Sequence, residues 1–158
     1  MKIYCVTNEN VDVPYNELKG VILENLNLHR AELENVDLSG SSFANSNLRG
    51  AFLYNANMSM CNLTRTNLNV ADLREANLEG ANLQNCLAIS TLFDNANLMN
   101  TNLEGANIDG ASFINAKLQG ANINSLYTEN AKFEGAIFDS STIFPEMFDA
   151  LKSGCIKV

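Results

Sequence analysis

An all-β solenoid, a chain wound into a tube around stacked side chains, is the fold class this sequence predicts, on three observations. Large apolar residues recur every five positions from Leu18 to Phe138. A small residue stands two positions before most of them, and Gly or Asn often stands two positions after. Of the 25 slots in the large series only Ala88 and Thr128 are not large and apolar, and no insertion breaks the spacing. A fixed internal period of this kind decides the architecture before local propensity does.

The spacing excludes the two ordinary elements. An α-helix turns about 100° per residue, so a period of five would scatter the leucines around its cylinder. A continuous strand has period two, so an odd spacing would throw successive leucines onto opposite faces. The pattern closes if the chain bends once per five residues. Each pentapeptide is then a short extended side, and its small residue (Ala71, Ala76, Ala81) and large residue (Leu73, Leu78, Leu83) both point inward. The bend falls near the Gly or Asn, which tolerate unusual φ.

The segments Ala71-Asp72-Leu73-Arg74-Glu75, Ala81-Asn82-Leu83-Gln84-Asn85 and Ala106-Asn107-Ile108-Asp109-Gly110 carry a consensus A-(D/N)-L-x-x. It resembles that of the pentapeptide-repeat family, over roughly residues 16 to 143. The resemblance implies a right-handed quadrilateral β-helix with four pentapeptides per coil. About six coils at ~4.8 Å spacing then make a rod about 30 Å long. Residues 20 apart stack, so Asn62, Asn82, Asn102 and Asn122 are expected to form an amide ladder.

Three regions follow: an N-terminal cap over 1–15, the repeat helix over 16–143, and a C-terminal cap over 144–158. Backbone hydrogen bonds run between coils, so both ends need covering. The alternation Val11, Val13, Tyr15 reads as a capping strand. Pro145 is expected to open a short helix to about Ser153, with Gly154 as its stop. Its Met147, Phe148 and Leu151 are expected to cover the last coil. With Phe144 they are also the candidate contacts if the tail joins two copies.

The chain carries 18 acidic against 10 basic residues, a net charge of −8. That repels nucleic acid, so no direct DNA or RNA binding is expected. Met1 to Leu18 has no basic stretch followed by an apolar run, and no stretch reaches the roughly 20 apolar residues of a membrane span. A cytoplasmic protein is expected. Cys5, Cys61, Cys86 and Cys155 lack the spacings of metal ligands and are expected to be reduced thiols. Cys61 and Cys86 fall in the small inward series and are expected to be buried packing residues.

The sequence carries no catalytic constellation. His29 follows a core leucine, should point outward, and has no nucleophile at meaningful spacing. Carboxylates are plentiful, but acid–base work needs a desolvated cleft, which a tube filled with Leu and Phe lacks. No enzyme activity, metal or cofactor is expected. The outward residues say more. One side collects Glu32, Glu34, Asp72, Glu75, Asp94 and Glu134 against Arg74 and Lys132. The same side displays Phe52, Tyr54, Leu92 and Ile114 where polar groups are usual. Clustered apolar groups among acids make a candidate protein-binding face. The adjacent side holds Ala88 and Thr128 with outward Leu87, Ile89 and Tyr127.

The expected function is therefore a non-catalytic interaction or scaffold protein that binds an unidentified protein partner through a side of the helix. The alternative, implied by the resemblance, is an acidic DNA mimic that binds DNA gyrase, as in the quinolone-resistance branch of the family. Members of that branch typically pair through their C-terminal ends, and some carry projecting loops. This chain has no loop and its acids favour one side, so a monomer is favoured over a C-terminal dimer.

Overall fold

A computed structural model of the chain describes residues 1–7 and 10–158. Its unit is a turn. The Ala31 N–H donates to the Leu28 carbonyl at 3.0 Å across Arg30, whose φ is +56°. Positive φ at the third residue of such a four-residue turn is the type II signature. The turn recurs at nearly every fifth residue, with corner φ values from +53° to +72° between Gly20 and Gly135. Glycine leaves room at some corners for a side chain of the preceding coil, which would have to shift if a Cβ were added. A Cβ on Gly80 would run into the Met60 sulfur, and one on Gly120 into the Asn100 amide oxygen.

Between turns, each side bonds to its neighbours one coil away. The Asp72 N–H donates to the Ala51 carbonyl at 3.0 Å, and the Leu73 N–H to the Leu92 carbonyl at 2.8 Å. Parallel bridges at twenty-residue steps sort the chain into four columns. Face A runs Ile22, Ser42, Asn62, Asn82, Asn102, Asn122. Face B runs Asn27, Asn47, Asn67, Leu87, Asn107. Face C runs Glu32, Phe52, Asp72, Leu92, Ser112, Lys132. Face D runs Asp37, Asn57, Asn77, Asn97, Lys117, Ile137.

The Asn and Asp of the consensus act mainly on their own turn. Asn62, Asn82, Asn102 and Asn122 stack as expected, but their side-chain oxygens accept the N–H two residues on, at 3.0–3.1 Å. Among the described residues only Asn62 of the four reaches across a coil, to the Ser42 hydroxyl. The predicted ladder lies instead on face D. There Asn57 donates to Asp37, Asn77 to Asn57 and Asn97 to Asn77, at 3.0–3.2 Å.

The inward residues fill the tube. Leu63, Leu68, Leu73 and Leu78 form one layer with no exposure. Most buried hydroxyls on the small series are satisfied by the coil before: Ser46 donates to the Leu23 carbonyl and Thr66 to that of Phe43, at 2.6 and 2.8 Å, whereas Thr101 donates to the Leu98 carbonyl of its own turn at 2.7 Å. Where face B contributes only Ala88 and Thr128, face C supplies the bulk. Phe93, Phe113 and Phe133 stack with ring centres 4.9 and 5.0 Å apart, one coil height.

All four cysteines are buried, and none is in a disulfide. Burial pushes the thiols of Cys61 and Cys155 up to about 11 and that of Cys86 to about 12. Only thiolate attacks a disulfide reagent. The folded protein at pH 8 should therefore react far more slowly than the protein in guanidinium, where all four thiols become available. A thiol titration in both conditions checks this; rapid native reaction of Cys86 would contradict its placement.

The ends depart from expectation in informative ways. At the N-terminus the cap is a hairpin: β1 (Lys2–Ile3) pairs antiparallel with β2 (Val11–Asp12). Its first arm makes the backbone bonds to the coil, while Val13 is buried in the core, Val11 and Tyr15 pack against it, and the Tyr15 hydroxyl donates to the Ile22 carbonyl. The Glu32 N–H donates to the Tyr4 carbonyl and the Val6 N–H to the Arg30 carbonyl, which covers the face C edge. Residues 8 and 9 of the predicted cap lie outside the described residues.

The spacing that is unbroken in sequence shifts in space. Asn107 pairs with Leu126, one residue short, and a 3₁₀ turn at Thr128–Asn130 restores the step by Lys132. Asn122 pairs with Ile143, one residue long. The Asp139 carboxylate pins that extra residue by accepting from Ser141 and Thr142.

The predicted C-terminal helix is absent. Residues 145–154 form turns, with the Ser153 N–H bonding the Asp149 carbonyl and the Cys155 N–H that of Ala150. The tail must cross the tube end from face A to face D. There β4 (Ile156–Lys157) pairs parallel with β3 (Ile137–Phe138). A straight helix cannot also lower Phe144 and Phe148 onto the core. Phe148 packs on Phe133 at 5.1 Å and Phe144 on Phe138 at 5.5 Å.

Candidate protein-binding face

The outward residues singled out from the sequence fall on one face. Glu32, Phe52, Asp72 and Leu92 are consecutive rungs of face C. Glu34, Tyr54, Asp94 and Ile114 form the parallel column two residues on, linked through the Tyr54, Arg74, Asp94 and Ile114 carbonyls to the next corner of the coil before. Tyr54 is 37% exposed, whereas Phe52, Leu92 and Ile114 are half-buried. The apolar groups therefore lie along the face rather than standing off it.

The charges of the face are organised. Arg74 grips Asp72 with two bonds, Nε to Oδ1 at 2.8 Å and Nη2 to Oδ2 at 2.7 Å. The guanidinium holds the Asp72 carboxyl below its usual value. Asp94 accepts from the Ser112 hydroxyl and from the Ile114 N–H. The Glu75 carboxylate raises the Tyr54 phenol by holding its proton in a hydrogen bond. Arg30, at the corner beside the face, lies 6.0 Å from the centre of the Phe52 ring, within cation–π range.

The local chemistry explains why apolar residues are unusual there. Where Asp72 stands, its Oδ1 accepts the Arg74 N–H. Phe52 and Leu92 cannot do this, and among the described residues no intramolecular bond holds the Tyr54 or Asp94 N–H.

The tail residues divide. Phe144 and Phe148 stack on each other at 5.2 Å and close the core. Met147 and Leu151 are 93% and 63% exposed, beside an open groove of about 530 Å³. They do not cover the last coil. His29 is half-buried on the outside of face B. Among the described residues no group of His, Cys, Asp and Glu could hold a metal ion, and no helix is long and apolar enough to cross a membrane. Sequence reasoning did not foresee Val70, which occupies a corner at φ +53°. Its signal was available: a β-branched residue two positions after a core leucine.

Pentapeptide repeats are matched in 8 copies over residues 22–59, 53–87 and 89–126, and the chain belongs to the pentapeptide-repeat family. Among solved structures it is similar to HetL, a pentapeptide-repeat protein involved in heterocyst differentiation regulation in the cyanobacterium Nostoc sp. strain PCC 7120. The identity is 25% and the TM-score 0.67, over 80% of this chain and 58% of HetL. The chain thus spans well under two thirds of that protein's length. It is 32% identical to alr5209, a pentapeptide-repeat protein of Nostoc PCC 7120, over 84% of each chain, with a TM-score of 0.39. It also has the fold of QnrB1, a plasmid-mediated fluoroquinolone resistance protein, at 16% identity and a TM-score of 0.52, over 92% of this chain and 88% of that one. No curated protein sequence matches the chain.

Proposed function

We propose that this protein is a non-catalytic interaction module, a four-sided coil of right-handed sense that binds a protein partner through face C. One observation carries the reading: Phe52 and Leu92 stand where the repeat commonly places Asp or Asn, and each gives up the side-chain bond to the N–H two residues on, while the backbone bonds that close the turns remain. A net intramolecular hydrogen bond contributes about 0.5–1.5 kcal/mol. Half-burial of Phe52 and Leu92 on the outside returns part of that, yet leaves a ridge of apolar surface among carboxylates. Apolar surface clustered in this way among charges is a candidate contact site.

The second reading, a DNA mimic that binds gyrase, draws on the net charge of −8. The likeness to QnrB1, at 16% identity, is one of fold and lends that reading no partner. The carboxylates gather on face C, whereas a mimic of duplex DNA would carry them around the rod.

The test compares wild type with two variants as baits in the source organism's extract, read by quantitative mass spectrometry. One variant alters face C (Phe52→Asn, Tyr54→Ser, Leu92→Asn, Ile114→Ser), and the other alters face A (Thr64→Ala, Gln84→Ala). A protein held by wild type and the face A variant, and reduced at least tenfold on the face C variant, is the expected result. Equal recovery on all three baits would overturn the assignment. Recovery of gyrase subunits, with inhibition of supercoiling at near-stoichiometric protein, would move the second reading ahead.

A further inference from the structure

Face B differs from face C in the sign of its charge. Its second outward column carries His29 and Arg49 in the first two coils, and Arg65 stands at its far corner in the third. No carboxylate appears on the face before Asp109. Arg49 and Arg65 are exposed, and among the described residues neither is in an ion pair. The fourth coil of the face turns apolar, with Leu87 43% exposed and Ile89 half-buried.

Faces B and C flank one edge of the tube, the corner column that holds Gly50, Val70, Ser90 and Gly110. Let a second copy lie parallel to the first, turned so that face B of one meets face C of the next. Columns at equal distance from that edge then come opposite. In the first coil His29 faces Glu32, and in the second Arg49 faces Phe52, a ring that already carries Arg30 at 6.0 Å. In the third Asn69 faces Asp72, and the exposed outer corners Arg65 and Glu75 meet. In the fourth Ile89 faces Leu92. Base meets acid, cation meets ring, amide meets carboxylate and apolar meets apolar, coil by coil. Sliding one copy by a single coil destroys the match. Arg65 would meet Asn55 or Asn95, and Ile89 would meet Asp72 or Ser112.

Resting on the protein-binding reading above, we infer that the occupant of face C is face B of a second copy of this chain, parallel and in register. The contact is heterologous: each chain gives face B to one neighbour and face C to another, and such contacts either close into a ring or grow without limit. The two faces flank one corner of a four-sided tube, so four copies turn through a full circle and close. Val70 of each copy then lies at the common axis. That removes from water a side chain 54% exposed in the single chain, at a left-handed corner that β-branched residues rarely occupy. Gly50, Ser90 and Gly110 in the same column leave room for the four edges to approach.

Sedimentation velocity over roughly a thousandfold range of concentration tests this, because assembly follows mass action. Wild type should pass from one chain to a species of four. Arg65→Glu and Glu75→Arg should each require at least tenfold more protein, since each brings like charges together at the outer corners. Their equimolar mixture should assemble as wild type does, because each reversed corner then meets its complement and each unchanged Arg65 an unchanged Glu75. Glu75 already holds a corner at φ +61°, so the backbone accepts the exchange. In the dilute range both reversal variants should melt as wild type does. The face C variant described above should stay a single chain, and the face A variant should assemble normally. A single-chain mass for wild type at every concentration would overturn the inference. So would assembly that the face C variant keeps, or reversals that do not rescue one another. A dimer indifferent to every variant would overturn it by placing the self-contact at a tube end. The bait comparison above is independent of these outcomes: a different protein recovered there would keep face C as a contact, and equal recovery on all baits would remove it.

Discussion

Leu73→Asp is expected to abolish cooperative folding. Leu73 has no exposure and lies in mid-tube, in a layer with Leu63, Leu68 and Leu78. Its N–H is bonded to the Leu92 carbonyl of the next coil, its own carbonyl accepts from Ala76, and its side chain belongs to the buried apolar core. A carboxylate there has neither water nor a cation. Leaving even a neutral polar group without a partner in such surroundings costs several kcal/mol, and a charge costs more. Against a whole stability of roughly 5–15 kcal/mol, one such group is decisive. Leu73→Met, which conserves volume, should lose less than about 1.5 kcal/mol. Denaturant titrations followed by circular dichroism read both. A Leu73→Asp protein that unfolds cooperatively near the wild-type midpoint would show that the inward assignment is wrong.

Phe133→Ala is expected to be the most damaging truncation, at about 3–5 kcal/mol. The ring is 1% exposed and joins two structures that are distant in sequence. On one side it continues the stack from Phe113, and on the other it receives the tail rings, Phe148 at 5.1 Å and Phe144 at 6.2 Å. Removing it leaves a cavity under the plug and loosens the residues that carry β4 onto face D. Phe93→Ala, which lacks the second set of partners, should cost less and leave the tail protected. Hydrogen exchange distinguishes the two: Phe133→Ala should expose the Ile156 and Val158 amides, which bond Ala136 and Phe138. Unchanged exchange there would mean that the tail is held without the aromatic plug.

The interior was legible because a five-residue period admits one answer: a bend per pentapeptide with two inward residues. The sorting of Phe52, Tyr54, Leu92 and Ile114 onto one side followed from the same arithmetic. What escaped is what periodicity does not encode. Asn62 and Asn57 look alike in the repeat. One chiefly closes its own turn and the other also links coils, because the choice depends on which acceptor the neighbouring rung presents. The Pro145 and Gly154 signals were read as helix ends, but the tail answers to the distance it must span and to Phe133 beneath it. The shift at Leu126 leaves the sequence count intact because the missing residue is restored by Lys132. Val70 was visible as a letter; its meaning needed the φ of the corner.

The central claim is that the apolar residues of face C serve contact rather than folding. Its most direct test is the thermal melt of the variant carrying Phe52→Asn, Tyr54→Ser, Leu92→Asn and Ile114→Ser together. Regained turn bonds at the two Asn positions should offset the lost half-burial, so the melting temperature should stay within about 3 °C of wild type, roughly 1 kcal/mol for a chain of this size. A fall of ten degrees or more would contradict the account, because those side chains would then belong to the structure they were assigned to decorate.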